Sequence, residues 1–256
     1  MKPLIVVLLT LCFTNGLSAQ VSEIKSASSS NSSKSDSNDS RDIDYDPDYS
    51  SHGNGRGGVM FDFLFGGIAR WQSFKLRSDR ERYPSMVSFD VMIQMAVKPS
   101  SYYLVWPRIR GSVGLFGTDF RMNYLIEEGI DGYIHIRTND WQILQLNLVT
   151  SKFFTFRLGT GYMQEAFNSH KAFSESSVIL LVHAPDQSKV LGFELRTSKD
   201  WDTGANPRRE FSIQYQNQLF VTGKIHGYAS VGCVYQRYYN SINVWGIQGG
   251  LVFRFF

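Results

Sequence analysis

Cysteine is almost missing from this chain: Cys12 and Cys233 are the only two among 256 residues. Cys12 lies in an N-terminal apolar run that we expect to be removed, so the remaining chain cannot form an intramolecular disulfide. Long apolar runs are missing too, because no stretch of 18 consecutive apolar residues occurs beyond residue 57. This excludes a transmembrane helix in that part of the chain, since such a helix needs about 20 apolar residues.

Charge of one sign is not concentrated anywhere in the sequence. The formal net charge is only +3, and lysines and arginines form no basic block, so nucleic acid is not an expected partner. Aspartates alternate at Asp42, Asp44, Asp46 and Asp48, but the glycine and the distal glutamate of a calcium-binding loop are lacking. We therefore expect no metal site and no cofactor.

The start of the chain has the layout of a secretory signal peptide. Lys2 supplies a positive charge, residues 4–13 form an apolar run, and residues 17–19 offer a small-residue cleavage site before Gln20. The apolar run is too short to span a bilayer as a helix. We predict a cleaved signal peptide over residues 1–19 and export of the remainder.

Residues 20–57 differ in composition from the rest. Serine, asparagine and aspartate dominate residues 26–40, acidic residues follow over 41–49, and residues 52–58 are rich in glycine. Such a segment has little apolar surface to offset the entropy of ordering it. We predict a disordered tail over residues 20–57, which acts either as a tether or docking segment or as a solvated linker.

From residue 58 to residue 256 apolar and polar residues alternate with the period of two that β-strands require. One apolar series is Val87, Phe89, Val91, Ile93, Met95 and Val97. A soluble β-sandwich would alternate as well, but the segments here run for roughly 11 to 18 residues, against about 5 or 6 in soluble strands. Aromatic residues near segment ends suit the interfacial girdles of membrane barrels: Trp71, Tyr102, Tyr103, Trp141, Phe153, Phe154, Tyr238, Tyr239 and Trp245. The sequence therefore predicts an all-β fold, a transmembrane antiparallel up-and-down β-barrel.

The last segment carries the most specific signal. Its apolar face consists of Trp245, Ile247, Gly249, Leu251, Phe253 and Phe255, and the chain ends one residue later at Phe256. Here the sequence resembles the outer-membrane β-barrel proteins of Gram-negative bacteria, most closely those of Bacteroidota, although the apolar series stops one residue before the end. The resemblance implies location in the outer membrane, contact with its lipid and lipopolysaccharide, and an assembly signal read by the barrel-assembly machinery at Leu251, Phe253, Phe255 and Phe256.

Strand number follows from parity, because both barrel termini should lie in the periplasm. The alternating segments number ten: 58–76, 84–98, 102–127, 132–149, 151–165, 172–184, 188–199, 208–222, 224–238 and 241–256. The third segment changes phase at Gly114 and Gly117, which indicates a bulge or a hairpin. A hairpin would require the fourth segment to split near Asn139 as well, giving twelve strands as the alternative. Short connections at 98–101, 150–151, 185–188 and 222–223 are expected at the periplasmic end.

With apolar residues facing lipid, charged residues face the lumen. The principal candidates are Asp90, Arg108, Arg110, Arg121, His135, Arg137, Arg157, Glu194, Arg196 and Arg254. In a barrel of this size side chains nearly fill the interior, so a network of ion pairs is the first interpretation and a narrow, anion-favouring pore is the second. Asp140 is placed near a loop. The loop over 199–209, which carries Trp201, Asp202, Arg208 and Arg209, is a candidate contact for lipopolysaccharide phosphates or a protein partner.

No catalytic constellation stands out. His135 is followed two residues later by Arg137, where barrel lipases have a serine, and His226 and Ser230 lie about 13 Å apart along one strand. We predict a non-enzymatic barrel, a structural or accessory component that presents extracellular loops and a periplasmic tail, with a possible protein partner in the membrane or the periplasm. The alternative is a small passive pore for polar or anionic solutes, and a barrel enzyme acting on lipid or peptide is third.

Overall fold

A computed structural model describes residues 20–35, 70, 87–98, 102–129, 132–168 and 171–256. They form one helix and ten strands, in the order α1 (Gln20–Ser35), β1 (Val87–Lys98), β2 (Tyr102–Val113), β3 (Phe116–Gly129), β4 (Gly132–Thr150), β5 (Phe154–Glu165), β6 (Ala172–His183), β7 (Lys189–Lys199), β8 (Arg208–Thr222), β9 (Ile225–Tyr238) and β10 (Ile242–Phe255). No described helix has the length and apolar character that a membrane crossing requires.

The ten strands close into one antiparallel up-and-down barrel, which confirms the predicted fold. Each strand pairs with the next in sequence, and β1 pairs with β10 to complete the ring. The closing ladder runs from Phe89 opposite Phe255 to Val97 opposite Ile247. Because the sheet closes on itself, neither its first nor its last strand is left with an unpaired edge.

The period of two places opposite chemistry on the two faces of the wall. Every strand exposes large apolar side chains on its outer face, among them Phe89, Tyr103, Phe116, Trp141, Phe154, Val178, Leu191, Phe211, Val231 and Ile247. The alternate positions point inward and are buried, and along much of the lumen they are charged or polar. The molecule therefore has an apolar exterior and a largely polar interior.

The strands differ in part from the predicted segments. The predicted segment 102–127 is two strands, β2 and β3, joined by a tight turn at Gly114 and Leu115 in which Gly114 has a φ of 58°. Glycine adopts this left-handed conformation without steric cost. The split of the fourth segment was wrong, because β4 runs unbroken from 132 to 150. The predicted strand 58–76 lies outside the described residues apart from Arg70, and the barrel closes without it.

The additional hairpin also changes which connections share an end of the barrel. The turns at 114–115, 151–153, 184–188 and 223–224 lie beside Phe255, at what we call the C-terminal end. The last residues of β1, β3, β5, β7 and β9 lie at the opposite end, which we call the helix end. The prediction that groups 98–101 with the other short turns is therefore wrong, since strand direction reverses once more between β2 and β3.

The segment predicted to be a disordered tail begins with the helix α1, and residues 36–57 lie outside the described residues. Val21, Ile24 and Ser28 are almost fully buried. Their spacing of three and four residues places them on one face of a helix. Composition alone missed α1 because so few of its residues are apolar, while the surface that buries them is supplied by distant strands of the barrel.

Candidate functional site

The centre of the lumen is organised by the carboxylate of Asp119 on β3. It accepts hydrogen bonds from Arg108 Nε at 2.9 Å, from Arg110 Nη2 at 3.0 Å and from Arg196 Nη2 at 3.0 Å. Gln145 Nε2 on β4 adds a fourth at 3.2 Å. Since Arg108 and Arg110 lie on β2 and Arg196 lies on β7, one carboxylate joins four strands and bridges the lumen.

A second centre forms around Asp140 on β4. Its Oδ2 accepts hydrogen bonds from Arg121 Nη2 at 2.7 Å and from Arg208 Nη2 at 2.6 Å. Arg121 also donates from Nη1 to Glu210 Oε1 on β8 at 2.6 Å. Sequence reasoning placed Asp140 near a loop and Arg208 in the loop over 199–209. The structure places both side chains inside the barrel, Asp140 within β4 and Arg208 at the first position of β8.

Two further carboxylates connect the centres into one network. Glu194 accepts from Arg108 Nη1 at 2.7 Å and from Arg196 Nε at 2.6 Å. Glu175 accepts from Arg208 Nη2 at 3.3 Å and lies 3.6 Å from Arg196 Nη1. All these side chains are buried. An unpaired charge in such a place would cost several kcal/mol, roughly, so mutual pairing is what makes this interior possible.

Nearer the C-terminal end lies a smaller group of charges. Arg254 Nε donates to Asp90 Oδ1 at 2.8 Å, and Arg254 Nη2 lies 3.1 Å from Asp90 Oδ2. His183 Nε2 lies 3.2 Å from the hydroxyl of Thr155. Arg157, two residues beyond Thr155 on the same strand, is also buried. Polar residues thus extend from the centre of the lumen toward the C-terminal end, alongside small buried apolar clusters such as Ile179, Leu181 and Val190.

The structure places eight of the ten predicted lumen residues in the interior: Asp90, Arg108, Arg110, Arg121, Arg157, Glu194, Arg196 and Arg254. His135 and Arg137, by contrast, are exposed on the outer side of β4, contrary to the prediction. The inward positions of β4 at this end include Ile136, which is buried against α1. The assumption that apolar residues always face outward fails there, because the helix makes the lumen apolar.

The helix end of the lumen has a core of its own. Val21 and Ile24 of α1 are completely buried among inward-facing apolar side chains. The barrel contributes Ala96, Tyr102, Leu104, Trp106, Leu125, Ile136, Val234, Tyr238, Ile242 and Val244 to this cluster. Tyr102 and Tyr238, predicted for the aromatic girdle, are therefore interior residues, while Tyr103, Trp141, Phe153 and Phe154 are exposed as expected. The predicted girdle residue Trp71 lies outside the described residues.

Hydrogen bonds fix α1 at both ends of its buried face. The backbone N–H groups of Gln20 and Val21 donate to the Glu127 carboxylate at 3.1 and 2.8 Å. A carboxylate at this position satisfies free amides and complements the positive end of the helix dipole. At the other end, Ser28 Oγ donates to Glu165 Oε2 at 2.6 Å. The contacts therefore hold the helix in one orientation.

Tyr239, in the turn after β9, strengthens the second anchor. Burial raises the pKa of Tyr239, and the neighbouring Glu165 carboxylate raises it further, so the hydroxyl keeps its proton. It donates to Glu165 Oε1 at 2.6 Å. Asn168 lies in the β5–β6 connection, and its Nδ2 is 2.5 Å from Ser28 Oγ. Loop and strand residues of the helix end therefore close over α1 together.

The residues of the predicted assembly signal lie on the last strand and its end. Leu251 and Phe255 are exposed on the outer face, and Phe253 is half-buried there. The Phe256 backbone N–H donates to the Lys224 carbonyl at 3.1 Å, and its ring meets His226 edge-on at 4.7 Å. The terminal residue is thus tied to the β8–β9 turn.

Within the described residues, no group of three or more histidine, cysteine, aspartate or glutamate side chains is arranged to hold a metal ion. No protein-family model matches this chain, and no curated protein matches it significantly.

The network predicts that Asp119→Asn destabilises the barrel. Removing this charge leaves Arg108, Arg110 and Arg196 with a surplus of buried positive charge, so we expect the free energy of unfolding to fall by about 3 kcal/mol or more. Asp202→Asn is the matched control, because Asp202 is exposed in the β7–β8 connection. Urea unfolding in detergent micelles, followed by tryptophan fluorescence, measures both. Equal stability of the two variants would contradict a structural role for the network.

Because the apolar face of α1 is buried in the lumen, we predict that the peptide bond after Lys25 is protected from proteolysis. Ile24→Asp places a carboxylate in an apolar core, so the helix should leave its site, and we expect trypsin to cut after Lys25 about tenfold faster. Ser30→Asp changes an exposed position of the same helix and should leave the rate unchanged. Mass spectrometry of timed digests measures the cut. An equal rate in both variants would show that α1 is not held by its apolar face.

Proposed function

We propose that this protein is a non-enzymatic outer-membrane β-barrel with a closed lumen, serving as a structural or accessory component of that membrane. The observation that supports this proposal is the distribution of polar residues, which is the reverse of that in a soluble protein. Large apolar side chains are exposed on all ten strands, and the arginine and carboxylate network is buried. In water this arrangement would expose far more contiguous apolar surface than soluble proteins tolerate. In a bilayer the same surface meets lipid chains, and the closed sheet leaves no backbone edge unpaired.

The proposed orientation places the C-terminal end in the periplasm and the helix end outside. The turns at 114–115 and 223–224 have two residues each, whereas the β7–β8 connection at the helix end spans 200–207. Short periplasmic turns and longer outer connections are usual in such barrels. On this assignment α1 lies at the outer end, so the expectation that residues 20–35 form a periplasmic tail is replaced.

The outer rim at the helix end carries three exposed arginines, Arg137, Arg209 and Arg237, and the half-buried Lys199. Trp201 is 71% exposed and its ring lies 3.9 Å from the Lys199 ammonium. Cations beside an aromatic side chain suit an interface that presents phosphate groups. The rim therefore supports lipopolysaccharide as the lipid partner of this end.

The proposed signal peptide fits the position of the helix. Cleavage after Ala19 would make Gln20 the first residue, and α1 begins at Gln20. The Gln20 nitrogen lies 3.1 Å from Glu127 Oε1. A new α-ammonium group at that atom would form an ion pair with Glu127, stronger than the bond that an amide N–H donates. Export and cleavage would then strengthen the closure of the barrel.

The small passive pore is the second candidate, and the planar-bilayer experiment separates the two. Because the network bridges the centre of the lumen and α1 fills the helix end, we expect the purified full-length protein to insert without producing conductance steps. An open porin in the same bilayers is the positive control. Stable, discrete steps from the wild-type protein would overturn the closed-lumen proposal and favour a pore.

Membrane embedding predicts a position-dependent cost of charge on the outer face. Ile93, at the middle of β1, is 54% exposed. In water Ile93→Arg would be tolerated, but within a bilayer it should cost about 2–4 kcal/mol and reduce insertion. Ile225→Arg, beside the Gly223–Lys224 turn, is the matched control and should cost about 1 kcal/mol or less.

Folding into lipid vesicles, followed by urea titration, measures both changes. Equal and negligible costs at Ile93 and Ile225 would reject a membrane-embedded barrel.

Co-purification from native membranes tests the accessory role separately, because that role requires a stable stoichiometric protein partner. Incubation with phospholipid, lipid A or peptide tests the enzyme alternative, which unchanged substrates would reject.

A further inference from the structure

One arginine of the interior stands apart from the others. Seven arginines are buried among the described residues: Arg108, Arg110, Arg121, Arg157, Arg196, Arg208 and Arg254. Six of them donate to at least one carboxylate. Arg157 does not: its Nε and Nη1 have no hydrogen-bond partner, although its side chain is only 3% exposed. A buried guanidinium with unsatisfied donors requires an explanation.

Nearby carboxylates are already engaged by other arginines. Asp90 pairs with Arg254, and Asp119 receives hydrogen bonds from Arg110. Arg157 interacts electrostatically with both of these arginines and with both carboxylates. In register, Asp90 lies between Arg254 and Arg110 on its two neighbouring strands. Three guanidinium groups therefore surround this part of the lumen, where positive charge exceeds negative charge.

The network as a whole shows the same surplus of positive charge. The carboxylates that pair with interior arginines are Asp90, Asp119, Asp140, Glu175, Glu194 and Glu210. The remaining buried acids near the helix end bind α1 or Lys171 instead. Six carboxylates thus stand against seven arginines. The arginine left over is Arg157, which pairs with no carboxylate and has two donor nitrogens without a hydrogen-bond partner, whereas Arg196 and Arg208 each have one.

We propose that Arg157 binds a small inorganic anion, such as chloride or phosphate, in the lumen between the central network and the C-terminal end. The anion completes the charge balance and accepts hydrogen bonds from the Arg157 guanidinium. Arg254 and Arg110 contribute positive potential, and the Thr155 hydroxyl lines the same side of β5 two residues away. Water alone would satisfy the donors but would leave the buried charge uncompensated.

The surroundings restrict the ligand to a small one. Arg157 lies opposite Asn147 on β4 and Ile179 on β6, and both are buried. His183, which contacts Thr155, lies within electrostatic range of Arg157 and Arg254. Side chains from β1, β4, β6 and β10 therefore occupy the lumen around the guanidinium, so that an inorganic ion fits the chemistry better than an organic anion. The inference concerns the interior and is independent of the membrane proposed for the outer face.

Thermal unfolding of the purified full-length protein in detergent micelles tests this site. Wild-type protein is measured in chloride, in phosphate and in gluconate, a larger organic anion, at one pH and one ionic strength. We expect Tm to rise with the logarithm of chloride or phosphate concentration relative to gluconate, because ligand binding to the folded state stabilises it. Arg157→Met should abolish that rise, and in gluconate its Tm should equal or exceed that of the wild type, because an unpaired buried charge has been removed.

Arg237→Met is the matched control, since Arg237 is an exposed arginine of the rim, and it should keep the anion dependence. The proposal is overturned if neither chloride nor phosphate raises Tm above its value in gluconate, or if Arg157→Met retains the rise. Should that variant fail to fold, crystals of the wild-type protein soaked in bromide decide the question. An anomalous peak beside Arg157 supports the site, and its absence there rejects it.

Discussion

Asp119 shows the constraint on which the barrel depends: a charge inside this wall must find an opposite charge from another strand. Its carboxylate accepts from Arg108 and Arg110 on β2 and from Arg196 on β7. Local backbone pairing would form the ladders in several registers, but the pairing of inward charges across the lumen is satisfied in one. The network therefore contributes specificity of register and closure, even where the net stability gained from each buried pair is small.

The helix end uses a different solution to the same problem of filling the lumen. There the inward residues are apolar, as at Leu104, Leu125 and Ile136. Val21 and Ile24 of α1 pack against them. Charged side chains meet α1 at the two ends of its buried face, Glu127 at the first end and Glu165 at the second. An ionic centre and an apolar plug thus occupy successive levels of one lumen. Each gives inward side chains of its level partners of matching chemistry, and Arg157 is the interior arginine that has no carboxylate partner.

The change from an ionic to an apolar lumen explains which features could be predicted from the sequence and which could not. Strict alternation in β1 and β10 predicted the barrel fold and the inward direction of Asp90 and Arg254, because one face of these strands is apolar throughout. The predicted count of ten strands is confirmed, although the predicted segments included 58–76 and left 102–127 undivided. In β4 the rule failed: Ile136 faces inward against α1, and register shifts after Trp141 and Asn147 change the phase again. Whether the apolar or the polar residues of a strand face inward depends on what fills the lumen at that level, and α1 comes from a distant part of the sequence. The position of this serine-rich helix depends on tertiary contacts that amino-acid composition does not predict.

A lumen filled in this way leaves the outer surface and the two ends as the places where the protein can act. At the helix end, Arg209 on β8 lies directly opposite Arg237 on β9, and both are exposed. Like charges opposite each other destabilise a pair of strands unless an external anion compensates them. Lys199 on the adjacent strand adds a third cation beside the exposed ring of Trp201. The rim therefore carries an electrostatic cost that a layer of phosphate-bearing lipid would remove. These charges agree with the orientation proposed from the turns, although they belong to different residues.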